Sequence, residues 1–497
     1  MEAVQCPSGC WERPISSEYR EWYQISGAWT QTGRNERDAN GDCFNPYSKA
    51  PNTAHILWKL DTRIGGLIGG EYGSLSYSGA PSKVIMAGRV YYSLSDGVHC
   101  VDLRTGEEYW KASGVSGSLF LVPGPTPYVW AVVSTGNWTR LDASTGVVTR
   151  TLKFDMKLVA GESIARTVVD ENGVFYFHTY VNLYPGDNRT DIVISTQVVR
   201  LVKWDSNKAT TKWSQGIVWE LRFADRPENR SLEHPWQFNG GMTVWKDIIW
   251  MNGNGANTTT VVNATTGKCL WNKIVDYWIQ GFGTVTDGVA VAPSNWDRRI
   301  HGFNVYTGEE IWQTEPAEYP WGEFWAYQMG AAYGKFYALS YDGYVRCIDA
   351  KTGKILWKFY SGDAGSETPY GTWPFYCNPA IADGKVYVAT NEHTPTNPYI
   401  RGFRLYCLNA TTGKLIWSIA GCNSHLAIAD GALVASDLYT SYMYCFDKGP
   451  TATTNNNSTN GTRHHSRNHR HSQHLHTQKT KKINPQTPFF FVSITKP

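Results

Sequence analysis

The sequence predicts an all-β fold, an eight-bladed β-propeller of four-stranded antiparallel blades, with seven blades as the alternative. Three observations predict it. One phrase, Asp/Asn-x-x-Thr-Gly followed by a strand ending in Trp, recurs through the chain, and its clearest copy runs from Asp349 through Thr352-Gly353 to Trp357. The copies fall about 40 to 60 residues apart, the span of one propeller blade. No long stretch carries a 3.6-residue apolar period, and the composition is aromatic and glycine-rich, with 22 Trp, 29 Tyr and 47 Gly among 497 residues.

Each copy of the phrase reads as the hairpin between the last two strands of a blade. Asp or Asn closes one strand and hydrogen-bonds the turn backbone, and Gly takes the positive φ of the turn. A β-rich stretch then returns, with Trp as a large docking side chain. The other full copies are Asp102 to Trp110, Asn263 to Trp271, Asn304 to Trp312 and Asn409 to Trp417. Asp142 to Arg150 lacks the Trp, and Asp205 to Trp213 is a looser version. A second element precedes the phrase: a strand of small residues, a turn and an aromatic strand, as in Ala380-Ile381-Ala382-Asp383-Gly384-Lys385-Val386-Tyr387. Small residues suit the crowded strand nearest the ring axis.

Residues 1–55 form an irregular aromatic segment, expected to pack over one face or the rim of the propeller. The propeller itself spans 56–449. Its start, Ile56-Leu57-Trp58-Lys59, is an outer strand with no local partners. Its end, Leu426 to Asp447, is three strands with no outer strand. Pairing the two closes the ring and removes exposed sheet edges. The stretch Tyr184 to Thr190 reads as an insertion within a blade. Residues 450–497 form a low-complexity, His-rich basic tail, expected to be disordered. From Thr451 onward this tail holds seven Lys or Arg and no Asp or Glu, so without it the net charge falls from +3 to −4.

No run of about 20 apolar residues is present, so no transmembrane helix is expected. The N-terminus, Met1-Glu2-Ala3-Val4-Gln5-Cys6, shows no signal peptide. Among the ten cysteines, Cys100, Cys347, Cys407 and Cys445 each sit two residues before a turn Asp or Asn. They are equivalent positions of different blades, hence buried small residues rather than a metal or disulfide set. Cys6 and Cys10 could close a small disulfide loop in an extracellular protein.

A ring of inner strands leaves a channel, and its mouth is the natural place for a site. Aligning inner strands on their turns brings Arg166, Asn239, Gln280, Gln328, Asn378 and His425 to similar depths, with Trp236, Trp278, Trp325 and Trp373 just before them. Amides and aromatics around a concave mouth suit a sugar, a quinone-like ring or a peptide. The alternative is that they bond backbone and channel water while the Trp residues brace the blades. His425 and Glu323 are the acid–base candidates. No catalytic set and no metal site emerges from spacing.

The repeat Asp/Asn-x-x-Thr-Gly-x-x-x-Trp, preceded by Asp-Gly-Lys-Val-Tyr, resembles that of pyrroloquinoline-quinone (PQQ)-type β-propellers, over roughly residues 56–447. The phrases Trp11-Glu12-Arg13-Pro14-Ile15, Trp22-Tyr23-Gln24-Ile25-Ser26-Gly27 and Thr53-Ala54-His55-Ile56-Leu57-Trp58 further resemble a group of uncharacterised archaeal cell-surface propeller proteins. The resemblance implies two kinds of role. Quinone-dependent alcohol and sugar dehydrogenases of this fold use a vicinal Cys-Cys pair, a bound calcium and an Asp base; no adjacent cysteines occur here. The scaffold lipoprotein of outer-membrane protein assembly uses the same fold without a cofactor. The expectation is therefore a non-catalytic binding or scaffold propeller for protein, peptide or glycan, extracellular or at the cell surface and monomeric, with no cofactor and no nucleic acid. A PQQ-dependent oxidoreductase with PQQ and calcium is one alternative, and a purely structural envelope module is another.

Overall fold

The computed structural model describes residues 29, 41–62, 83–124, 126–158, 160–182, 196–223, 241–253, 256–318, 329–392, 402–422, 424–437 and 440–449. The expected insertion at 184–190, the Cys6–Cys10 loop and the tail from 450 lie outside them, as do Asn239, Gln328, Trp236, Trp325 and Glu323.

Eight four-stranded antiparallel sheets form the ring. From inner to outer strand, blade 1 is Lys83–Met86, Arg89–Leu94, Gly97–Asp102 and Glu108–Ser113, and blade 2 is Ser118–Val122, Tyr128–Val132, Asn137–Asp142 and Val148–Lys153. Blade 3 is Glu162–Val169, Val174–Asn182, Thr196–Asp205 and Ile217–Arg222, and blade 4 is Gly241–Trp245, Ile248–Asn252, Ala256–Asn263 and Cys269–Ile279. Blade 5 is Val285–Thr286, Val289–Pro293, Ile300–Asn304 and Glu310–Gln313, and blade 6 is Gly330–Ala332, Lys335–Leu339, Tyr344–Asp349 and Ile355–Tyr360. Blade 7 is Ala380–Ala382, Lys385–Ala389, Arg404–Asn409 and Leu415–Ala420. Blade 8 takes Ser424–Ala429, Ala432–Ser436 and Tyr442–Asp447 from the end of the propeller and His55–Asp61 from its start. Each inner strand neighbours the next, and that of blade 8 returns to that of blade 1. The eight-blade count and the closing strand both follow the sequence reading.

The Thr-Gly phrase does two jobs in one turn. In blade 6 the Asp349 carboxylate accepts the backbone N–H groups of Lys351 at 3.1 Å and Thr352 at 2.9 Å, and Gly353 adopts φ +71°. This fixes the turn so that the Trp of the preceding blade can lie on it. Trp312 donates its indole N–H to the Ala350 carbonyl at 2.9 Å, and a Cβ on Gly353 would stand 2.5 Å from its ring. The same dock joins Trp58 to Leu103, Trp110 to Ala143, Trp219 to Ala264, Trp271 to Val305 and Trp357 to Ala410.

The two exceptions are informative. Blade 2 has Arg150 where the Trp would be, and its guanidinium donates to the Ser206 and Ala209 carbonyls of blade 3. That junction gains a buried aromatic cluster instead, in which Trp204 and Trp213 stack at 5.5 Å and Trp138 meets both edge-on. Trp213 thus belongs to this cluster, on a one-turn 3₁₀ helix, Trp213–Gly216, and Trp219 is the docking residue of blade 3. Blade 8 has no continuous hairpin because its last two strands come from opposite ends of the propeller. There the Pro51 carbonyl replaces the turn carbonyl, accepting the Trp417 indole at 3.2 Å and the Tyr387 hydroxyl at 2.7 Å. His55 bonds Asp447 at 2.7 Å and ties the split turn.

Removing one docking indole costs buried aromatic surface and leaves a void, roughly 3 kcal/mol for Trp357→Ala by the range for large-to-small changes. Trp357→Phe keeps the ring and loses one hydrogen bond, so about 1 kcal/mol is expected. Denaturant titration of the two variants checks the order.

Blades 1 and 5 repeat a polar device. His301 bonds Glu310 at 2.8 Å through Nδ1 and Asp297 at 2.9 Å through Nε2, and stacks on Tyr277 at 3.6 Å. His99 does the same with Glu108 and Asp96, over Tyr92. Burial alone would lower the His301 pKa, but its two carboxylate partners outweigh burial and the net shift is upward. Asp297 and Glu310 shift down; burial opposes this, and their hydrogen bonds to the imidazole prevail. A raised folded pKa stabilises fully below the unfolded value of about 6.5 and is lost as pH rises through the folded value. The stability difference between wild type and His301→Gln should therefore be largest at pH 5–6 and shrink above neutrality. Unfolding curves of both proteins between pH 5 and 9 check the sign.

Candidate functional site at the channel

Each inner strand lies at one end of its sheet and pairs within it on one side, so its other backbone edge faces the channel. Residues 29 and 42–45 of the N-terminal segment bond to that edge. Asp42 N–H donates to the Ala331 carbonyl at 2.8 Å and Ala331 N–H donates back at 2.9 Å, on blade 6. Ile381 of blade 7 donates to the Cys43 carbonyl and accepts from Asn45 N–H, both at 2.8 Å. On blade 1, Trp29 and Ile85 exchange a pair of backbone bonds at 2.8 and 2.9 Å.

The side chains fit this position. Gly41 must be glycine, because a Cβ there would stand 2.3 Å from the Ala331 carbonyl oxygen. The Asp42 carboxylate is fully buried and accepts the Thr243 hydroxyl of blade 4 at 3.3 Å and the Thr284 hydroxyl beside blade 5 at 2.8 Å. Cys43 holds φ +56°, a conformation β-carbons resist, so the surroundings impose it. Phe44 meets Tyr333 edge-on at 4.9 Å. Asn45 donates to the Ile428 carbonyl of blade 8 at 2.8 Å and accepts the N–H groups of Tyr47 and Ser48. The chain then leaves over the turns of blades 8 and 7, through Ser48 to Gly431 and Lys49 to Asp383, and reaches Pro51 and the closing strand.

The sequence-predicted site residues fall into three groups. Arg166 sits at an irregularity in the inner strand of blade 3, where the register shifts between Ile164 and Thr167. Its guanidinium lies 4.3 Å from the Phe282 ring and lines a cavity of about 240 Å³ with Ser118, Phe120, Val132, Ser134 and Thr167. His425 is on the inner strand of blade 8 with φ +47°, and its carbonyl accepts the Lys83 ammonium at 2.6 Å. Burial, then the nearby Lys83 charge, pushes the His425 pKa down to about 3, so this imidazole is neutral near pH 7. Burial brings Lys83 itself down to about 7. Gln280 is in the connection to blade 5, with its N–H on the Pro293 carbonyl, and Asn378 is in the connection to blade 7 with its side-chain oxygen buried. Trp278 lies on the outer strand of blade 4, and Trp373 packs against the Gly402 backbone.

The sequence reading did not single out Asp42, Asn45, Thr243 or Thr284. Asp42 and Thr284 are 242 positions apart, and no repeat links them. The only local signal was the run Gly41-Asp42-Cys43-Phe44-Asn45-Pro46, a tight glycine and two turn-forming polar residues in an aromatic segment.

Comparison with known proteins bears on the repeats. A family profile described as outer membrane protein assembly factor BamB matches residues 341–487. The dehydrogenase subunit of the quinone alcohol dehydrogenase of Gluconobacter oxydans is 30% identical over 179 residues, 33% of this chain and 22% of that protein. The chain carries a PQQ-type propeller. The quinohemoprotein alcohol dehydrogenase ADH IIB of Pseudomonas putida is 24% identical over 259 residues, 41% of this chain and 35% of that protein. The chain spans about a fifth of the length of the first curated relatives it matches. Among solved structures, a europium-containing methanol dehydrogenase aligns with TM-score 0.52 at 12% identity, covering 84% of this chain and 90% of that one. The computationally designed Ika8 protein aligns with TM-score 0.50 at 12% identity, covering 74% and 96%. At such identity the likeness shows the β-propeller fold alone.

A quinone of this class is a planar polycarboxylate and needs an open slot lined by cations. Among the described residues, the inner strands of blades 1 and 3 carry the cations Lys83 and Arg166, while the side of blades 4 to 8 does not fit it. Asp42 to Asn45 fill the space beside blades 4 to 8, and the buried Asp42 carboxylate adds a like charge.

Proposed function

We propose that this PQQ-type propeller is a non-catalytic binding or scaffold module for protein, peptide or glycan, monomeric and displayed at the cell surface. The observation that carries the reading is the Asp42–Asn45 segment bonded to the inner strands of blades 4, 6, 7 and 8 and to Thr284 beside blade 5. A channel wall that already pairs with an extended segment suits binding better than turnover of a substrate on the axis. The surface assignment draws on the resemblance to archaeal cell-surface propellers and on the BamB description of the matching profile, an assembly factor for outer membrane proteins. Neither a cofactor nor nucleic acid belongs to this reading.

The second reading is a quinoprotein oxidoreductase with PQQ and calcium, favoured by the alcohol dehydrogenases among the curated relatives. Dye reduction with the full chain, PQQ and calcium, over a panel of alcohols and sugars, separates the two. The binding-module reading predicts a rate equal to the no-protein control. Quinone- and calcium-dependent reduction with any substrate would overturn it.

A further inference from the structure

We propose that the channel wall is a binding site for an extended peptide, held in this chain by its own residues 41–45, and that a partner peptide of the same chemistry competes for it. The partner is a strand carrying a small residue, a carboxylate next to it and an amide three positions later. The inference rests on the binding-module reading and names the ligand class of its site.

Residues 42–45 do not extend any blade as a fifth strand. They pair with the channel edges of two different blades, through single bridges at Ala331 and Ile381, in antiparallel and then parallel sense. Backbone pairing of this sort gives affinity to any extended chain, and side-chain pockets give specificity, as in other strand-addition sites.

Side-chain pockets line the same wall. The hydroxyls of Thr243 and Thr284 form a two-donor seat for a carboxylate. The Ile428 carbonyl takes one N–H of a side-chain amide. The Ala331 carbonyl approaches so closely that only glycine fits at position 41. The Tyr333 ring receives an aromatic edge-on. The seat residues come from the propeller body, over 190 residues away in sequence, so they form a receptor surface and the segment its occupant.

The occupant also carries strain that the body does not need. Cys43 sits at φ +56° between two bridge residues, which costs about 1 kcal/mol or more for a residue with a β-carbon. A trans peptide with glycine at that position meets the same seats without the strain.

The test uses the full chain and a fluorescent synthetic peptide of residues 41–50, with Gly in place of Cys at the third position. Wild type keeps its own segment seated and should show little capture. The full-chain variant Asp42→Ala/Asn45→Ala should bind the peptide at least tenfold tighter than wild type does, and a scrambled peptide should not bind. Hydrogen exchange at Ala331 and Ile381 is read in parallel. Fast exchange at these amides with no gain in peptide binding would overturn the proposal, because the seats would be open and unused. Unchanged protection in the variant would also overturn it, because the segment would then be a fixed part of the core. Should the double variant lose the far-ultraviolet signature of the folded protein, Asn45→Ser alone is read against the same two outcomes. Failure here with no quinone-dependent dye reduction leaves the binding-module reading standing and removes only the channel wall as its site.

Discussion

Deleting residues 1–61 should abolish the cooperative unfolding transition of the propeller. The deletion removes the outer strand of blade 8, paired over His55 to Asp61 with Tyr442 to Asp447, and the Trp58 dock onto blade 1. It also removes Pro51, whose carbonyl receives Trp417 and Tyr387 from blade 7. Both seams of the closing blade are lost together. The channel loses its occupant as well, which leaves buried N–H and C=O groups at Ile85, Ala331 and Ile381 without their bonds. One docking indole at roughly 3 kcal/mol and several unmade buried hydrogen bonds at roughly 1 kcal/mol or more each approach the whole stability of an ordinary domain, about 5–15 kcal/mol. Circular dichroism melts should show a broad, non-cooperative decline, and a dye for exposed apolar surface should bind at 25 °C. A sharp transition within a few degrees of wild type would contradict this account of ring closure.

Arg200→Met is the point substitution expected to cost most. Arg200 lies buried in blade 3 and grips Glu162 with two bonds, Nε to Oε1 at 2.6 Å and Nη2 to Oε2 at 2.7 Å. Its third contact reaches Glu220 on the outer strand at 2.6 Å, and the Thr179 hydroxyl donates to Glu162 from the strand between. The network therefore links all four strands of one blade. Removing the cation takes away both of its bonds to the buried Glu162 carboxylate, a change in the range of about 3–5 kcal/mol. Glu162→Gln combined with Arg200→Met removes both charges, so it should recover much of that loss. Guanidinium unfolding of the single and double variants measures the difference. Equal midpoints for the single variant and wild type would show that the pair contributes nothing net.

Most of the architecture was legible because a propeller writes itself in repeats. The Thr-Gly phrase marks the turn in six of the eight blades, and its glycines mark where the neighbouring Trp ring must lie flat. The unpartnered strand at Trp58 and the missing strand after Asp447 implied closure before any contact was known. Positions that depart from the repeat were harder to read. Trp213 stands where a docking residue is expected, but the extra turn before Ile217 moves that task to Trp219. Arg150 replaces an indole with a guanidinium, which pattern alone could not assign to the carbonyls of Ser206 and Ala209.

The candidate site was legible only in part, for a physical reason. Alignment on turns places inner-strand residues at similar depths, and Arg166 and His425 are indeed on inner strands. Alignment says nothing about what enters the channel from elsewhere. The segment 41–50 has no period and no partner nearby in sequence. Its meaning lies in contacts with Thr243, Thr284, Ala331, Ile381 and Ile428, each set by the ring and not by local propensity.

The most direct test of the central claim, that this propeller binds without a quinone, is calorimetric titration of the full chain with PQQ in the presence of calcium. The account predicts no saturable heat up to high-micromolar quinone, for wild type and for Arg166→Ala alike. Stoichiometric binding to wild type, lost in Arg166→Ala, would contradict it and place a cofactor where Asp42 and Arg166 now sit.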